Sequence, residues 1–194
     1  NLGHPFYATL INWGRHTIGT IPFVIVFAAW LGAPGVLIGQ AVGGDARALL
    51  TADFRITSTK DFSPSDIAKI EDVIERSSIV EARNETIRTS AMARPADLSN
   101  KSLQFVSLKG IEPPFPLAGK FVMPNGGDFD FRLLENRGAV VAPILLEELN
   151  IKIGDKILVG ESEFTVKGIF DEEPGGSNGF RLGARVFVEK KACD

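Results

Sequence analysis

Among the 194 residues, the carboxylates come nearest to a spacing that could do chemistry. Asp128 and Asp130 in "GGDFDF" can present two carboxylates on one side of an extended segment, as a calcium loop does. The further oxygen ligands of such a loop are missing. The expected reading is therefore a polar turn running into a strand, with Phe129 and Phe131 facing inward. Asp171, Glu172 and Glu173 form an acidic run expected in a solvated loop. Glu71, Asp72 and Glu75 are expected on the solvated face of a helix. His4 and His16 both precede a long apolar run that separates them from the later sequence, which argues against Ser-His-Asp, Cys-His and the usual zinc arrangements there. Cys193 is the single cysteine, so no intrachain disulfide can form. Gly119-Lys120 follows "PPFPLA", whose prolines lack the N–H groups that cradle phosphate. No catalytic, cofactor-binding or metal-ligating residue is expected, and no cofactor. With 24 acids against 21 bases the net charge is −3, which speaks against a nucleic-acid partner.

The elements that would position these groups read as an α+β fold: mixed sheet or sheets with a few packed helices. "ADFRITST" (52–59) alternates Phe54 and Ile56, a strand pattern. "SPSDIAKIEDVIER" (63–76) is the clearest helix. Ser63 suits the N-cap, Pro64 the first helical position, and Asp66 a capping-box-like spacing. Ile67, Ile70, Val73 and Ile74 form one apolar stripe expected to bury on a sheet. "SIVEARNETIRTSAMA" (78–93) reads as a long strand or a strand pair, and "LQFVSLKGI" (103–111) as another strand. "EPPFPLAGKFV" (112–122) reads as an extended connector, with Phe115 and Leu117 exposed enough to touch a partner; a polyproline ligand is the minor alternative. "MPNGGDFDF" (123–131) carries turn signals. "GAVVAPILLEELNI" (138–151) predicts a short buried strand, then a helix from Pro143 with Leu145, Leu146 and Leu149 inward. "NIKIGDKILVGESEFTVKGIF" (150–170) predicts a hairpin turning at Gly160 and Glu161. "DEEPGGSNGF" (171–180) reads as a flexible loop and "ARVFVE" (184–189) as the last strand.

Residues 17–44 contain no charge, and 21–38 are strongly apolar. About 20 such residues cross a bilayer. Gly32, Pro34 and Gly35 would weaken or kink a helix there. Arg15 and His16 before the run place its N-terminal side in the cytoplasm by the positive-inside tendency. The expected organisation is a cytoplasmic segment over 1–16, one N-terminal transmembrane helix and the start of a stalk over 17–44, and an extracytoplasmic α+β domain over 45–194. A cleaved signal sequence and a buried core helix remain the alternatives for the run.

The order of segments resembles the extracytoplasmic domain of FtsX/MacB/LolE-type ABC transporter permeases, with the YbbP-like branch the nearest in pattern. The resemblance rests on "LLTADFRI" after an apolar helix and on the succession Val140–Val141, Leu145–Leu149, Gly154–Asp155 and Val166–Ile169. It departs in Thr51, where glycine is usual, and in the broken apolar run. It implies a non-enzymatic inner-membrane permease subunit, here a fragment of a longer permease. The implied partners are a cytoplasmic ABC ATPase on a separate chain, a second permease copy and the lipid bilayer. The domain would relay nucleotide-driven movement to export or envelope substrates. Two other functions stay open: a membrane-tethered binding or scaffold module, and an envelope hydrolase that would need Asp128 and Asp130.

Overall fold

The computed structural model describes residues 37–40, 52, 54–58, 62–77, 80–175 and 183–193. They fall into two compact units. The first contains an antiparallel strand pair, β1 (Leu37–Gln40) and β2 (Phe54–Thr57), and helix α1 (Pro64–Ser77). The pairing takes Leu37 and Ile38, from the end of the apolar run, into a strand. The remainder of the expected membrane span, and the boundary near Gly43–Asp45, lie outside the described residues. Among the described residues no helix is long and apolar enough to cross a membrane.

Helix α1 starts where its capping signals put it. The Ser63 carbonyl accepts from the N–H groups of Asp66 (2.9 Å) and Ile67 (3.0 Å). The Ser63 N–H reaches Asp66 Oδ2 at 3.2 Å, and the Asp66 N–H returns to Ser63 Oγ at 3.2 Å. This reciprocal arrangement satisfies donors the first helical turn would leave open. Ile70, Val73 and Ile74 are half-buried and Ile67 is exposed, so the stripe is only partly covered, against expectation. Asp72 pairs with Arg76 at 2.8 Å one turn on.

The second unit is built on a closed six-stranded barrel in the order β3-β4-β8-β5-β7-β6. Its strands are β3 (Thr86–Pro95), β4 (Gln104–Ile111), β5 (Gly138–Val141), β6 (Lys156–Val159), β7 (Ser162–Ile169) and β8 (Ala184–Glu189), with helix α2 (Pro143–Leu149) after β5. The strand expected over 78–93 begins only at Thr86; residues 80–85 are irregular. The β4–β8 and β5–β7 pairs are parallel and the rest antiparallel, so the sheet is mixed as expected. The β6–β7 turn requires positive φ, which Gly160 supplies at 60°.

Alternation along each strand fills the barrel. Val106 and Leu108 of β4, Ala139 and Val141 of β5, Ile157 and Val159 of β6, Phe164 and Val166 of β7, and Val186 and Val188 of β8 join one buried cluster. Leu145 and Leu149 of α2 complete it from the end where β5 finishes, with Leu146 packed alongside. Ala192 and Cys193 pack on the same cluster at the other end. Gly110 makes room for them, because a Cβ there would sit 2.7 Å from Cys193 Sγ. The interior is a packed core with both ends occupied.

Residues of opposite parity meet a second core outside the barrel. Val140 and Phe187 point outward and join Ile111, Phe115, Phe121, Leu134 and Phe170. Strands β5 and β8 are thus apolar on both faces over "GAVV" and "VFV", which is why these stretches read as continuous apolar runs rather than as alternation. The chain between β4 and β5 supplies the cover. Phe121 stacks on Phe129 at 4.3 Å and meets Phe187 at 4.7 Å and Phe170 at 5.7 Å. Phe129 and Phe131 pack inward here, as their spacing predicts. Phe115 departs from expectation: it is buried in this cover, its ring 6.4 Å from those of Phe121 and Phe187, and Leu117 is half-buried. The proline-rich connector lies along the barrel because its two aromatic rings, Phe115 and Phe121, have an apolar surface to cover.

Candidate functional site

The acids singled out in the sequence do not converge. Asp128 is exposed in a turn whose neighbour Val122 bridges to it. Asp130 turns back on its own segment, accepting from the Arg132 N–H at 2.9 Å and from Arg132 Nε at 2.7 Å. The hydrogen bond from the Arg132 side chain, and then that from its backbone, hold the Asp130 carboxyl below the usual range. Both oxygens of Asp130 serve this local cap. Among the described residues no group of three or more His, Cys, Asp or Glu side chains is placed to hold a metal ion.

Two charged nodes that sequence reasoning missed are assembled instead. The first centres on Glu173, expected in solvent and found buried. Its carboxylate pairs with Arg185 Nε of β8 at 3.0 Å, and Arg185 Nη1 donates to Ser107 Oγ of β4. Desolvation pulls the Arg185 pKa below its ordinary value. Lys109, also buried, sets its ammonium 4.4 Å from the Phe115 ring centre, a contact that offsets part of its lost hydration. The Glu172 N–H and that of Asp171 bond the Val122 carbonyl, at 3.2 and 2.9 Å. Residues 171–174 are therefore strapped across the outside of the barrel. Removing one member of a buried pair leaves the other uncompensated, so such a node resists rearrangement.

The second node lies where β3 begins and β8 ends. Lys190 Nζ contacts the carboxylates of Glu85 and Glu112, the latter at 3.2 Å. The Glu85 N–H donates to Glu112 Oε1 at 2.9 Å, and Asn84 Nδ2 donates to the Pro114 carbonyl. Burial would lower the Lys190 pKa, but the hydrogen bonds to Glu85 and Glu112 together outweigh it and raise it. One ammonium thus ties three stretches: the approach to β3, the connector after β4, and the turn after β8. No local pattern announces this. Glu85, Glu112 and Lys190 are 27 and 78 residues apart along the chain, and only barrel closure brings them together.

The second unit is thus a filled mixed barrel, its cover held by one buried ion pair and three stretches of chain tied at one end. The chain matches the family of the MacB-like periplasmic core domain over residues 27–191 and belongs to that family. Proteins of that family are permease-type components of ABC transporters rather than catalytic enzymes, and the matched stretch corresponds to their periplasmic core domain. No curated protein matches it. Among solved structures it is similar to the extracellular domain of the noncanonic ABC-type transporter YknZ from Gram-positive bacteria, at 18% identity with a TM-score of 0.46. That match covers 67% of this chain, which spans 63% of the YknZ chain.

Proposed function

We propose that the chain is part of a membrane permease whose outer domain relays movement produced by a separate cytoplasmic ABC ATPase. In this reading residues 1–16 are cytoplasmic, 17–44 cross the inner membrane and begin a stalk, and 45–194 lie in the periplasm or outside the cell. The bilayer and a second permease copy complete the assembly, with export or envelope substrates as what it acts on. The observation that carries the reading is the family match over residues 27–191, and a means of transmission is the Lys190–Glu85–Glu112 tie. It joins the chain on its way into the barrel to the chain on its way out. A displacement applied to either stretch then moves the barrel as one body, because packed interiors deform little.

The test uses the full-length permease with its ATPase in membranes. Spin labels at Leu98 and Glu161, both exposed, report distances within one barrel and between two. Trapping the ATP-bound state shifts the distances between barrels and leaves those within a barrel unchanged. Nucleotide-independent distances between barrels would overturn the relay.

A tethered binding module is a second reading. Its expectation of an exposed Phe115 on the proline connector fails, since that ring is buried. The exposed Met92 and Phe105 on the barrel wall offer a sheet face in its place. Binding and relay are compatible in one domain.

A further inference from the structure

The outward face of the β3–β4 ribbon carries large apolar side chains that none of the described residues covers. Met92 and Phe105 are cross-strand partners and are 43% and 41% exposed. Cβ atoms of such partners lie about 5 Å apart, so the two form one patch. Leu103, 54% exposed, precedes β4 in the same outward parity as Phe105. Arg94, two residues beyond Met92 on β3, shares its face and is exposed. The next row toward the middle of the ribbon is Ser90 opposite Ser107. These side chains face outward because Ala93 and Val106 of the intervening parity are fully buried in the barrel.

The charge on this ribbon runs against that of the chain. Residues 86–107 hold Arg88, Arg94 and Lys101 against the single acid Asp97, a local net of +2 within a chain of −3. Asp97 is itself engaged, accepting from Ser99 N–H at 2.9 Å and from Ser99 Oγ at 2.8 Å. On the adjoining hairpin, Glu163 is neutralised by Lys156 at 2.7 Å, which leaves Glu161 in the turn beside Met92.

We propose that the outer face of the β3–β4 ribbon docks an extended, acidic and apolar segment of a partner polypeptide. Met92, Phe105 and Leu103 receive its apolar side chains, and Arg94 and Lys101 receive its carboxylates. An extended chain repeats every two residues, the same repeat that alternates charged, apolar and hydroxyl rows along this ribbon. Three bases offset by one acid are too few for stable adhesion to an anionic bilayer, which takes a cluster of four to eight. A clustered apolar patch on a ribbon with a small excess of basic charge fits a polypeptide better.

The experiment needs no nucleotide, so its failure is distinct from failure of the relay. The 194-residue chain in detergent is titrated against a fluorescein-labelled ten-residue peptide alternating glutamate and leucine. A second peptide has lysine at the glutamate positions, and vesicles containing phosphatidylglycerol form a third arm. The acidic peptide binds, and binding weakens as salt rises. The pair Met92→Ser and Phe105→Ser, and separately the pair Arg94→Glu and Lys101→Glu, each weaken it by about tenfold or more. These sites are exposed, and circular dichroism verifies that each variant keeps its fold. Equal binding of the two peptides, retention of binding in both variants, or binding of the vesicles alone would each overturn the proposal.

Discussion

Two side chains place charge where the fold can be interrogated by pH. The raised pKa of Lys190 means its ammonium is worth more in the folded state than in the unfolded one. That contribution is complete below the ordinary lysine value and lost as pH rises through the raised one. Lys190→Met removes it and leaves Glu85 and Glu112 facing each other without their shared cation. The expected loss is at most about 1 kcal/mol near neutral pH, since the carboxylates remain open to water. Urea midpoints measured from about pH 9 to 12 fall for the wild type and are flatter for the variant. Asp66 behaves in the opposite sense. The Ser63 side-chain hydrogen bond, then the Ser63 backbone one, hold its carboxyl low, so its contribution is present above the ordinary carboxylate value and lost as pH falls through the depressed one. Ser63→Ala costs α1 about 1 kcal/mol of stability through the lost cap. It also blunts the acid limb of a helical-ellipticity titration. The Ser63–Asp66 pair was legible in sequence because capping acts over three residues. Lys190 was not, because its partners arrive through tertiary closure.

The elements themselves show where local pattern ends. Turn chemistry and alternation foretold β6–β7, and the proline at 143 foretold α2, since each is decided within a few residues. The burial of Phe115 and Glu173 was not foretold: one sits in a proline-rich connector and the other in an acidic run, and each meets β8 only through tertiary closure. Gly138 marks the joint between the aromatic cover and β5. A Cβ there would lie 2.0 Å from the Leu133 carbonyl oxygen, a backbone atom with little freedom to withdraw. Gly138→Ala is expected to destabilise by about 1–3 kcal/mol or more, read as a lower urea midpoint with an unchanged slope. Phe121→Ala, which empties the centre of the aromatic cover, is expected to cost about 3–5 kcal/mol.

At the scale of the molecule, β8 shares with β5 a place between the two cores. It pairs with β4 on one side and β5 on the other, and its faces enter both cores. Its amides are therefore expected to exchange slowest with deuterium, while those of 97–103 in the β3–β4 loop exchange early. Exchange in β8 as fast as in that loop would mean that the barrel opens locally at its middle. The class of fold, α+β with a mixed sheet, followed from the segments in order, whereas closure into a ring depended on pairings that no window of sequence contains. β8 comes last of the strands in sequence, yet it fills the gap between the fourth and fifth, with Val106 aligned to Ala184. A ribosome releasing this polypeptide cannot yield a shut ring until the stretch ending at Glu189 has emerged, and any product cut short before β8 is left with two greasy, unmatched borders. Closure of the ring must therefore wait for β8, and quality control would have a simple mark of a copy that lacks it to recognise.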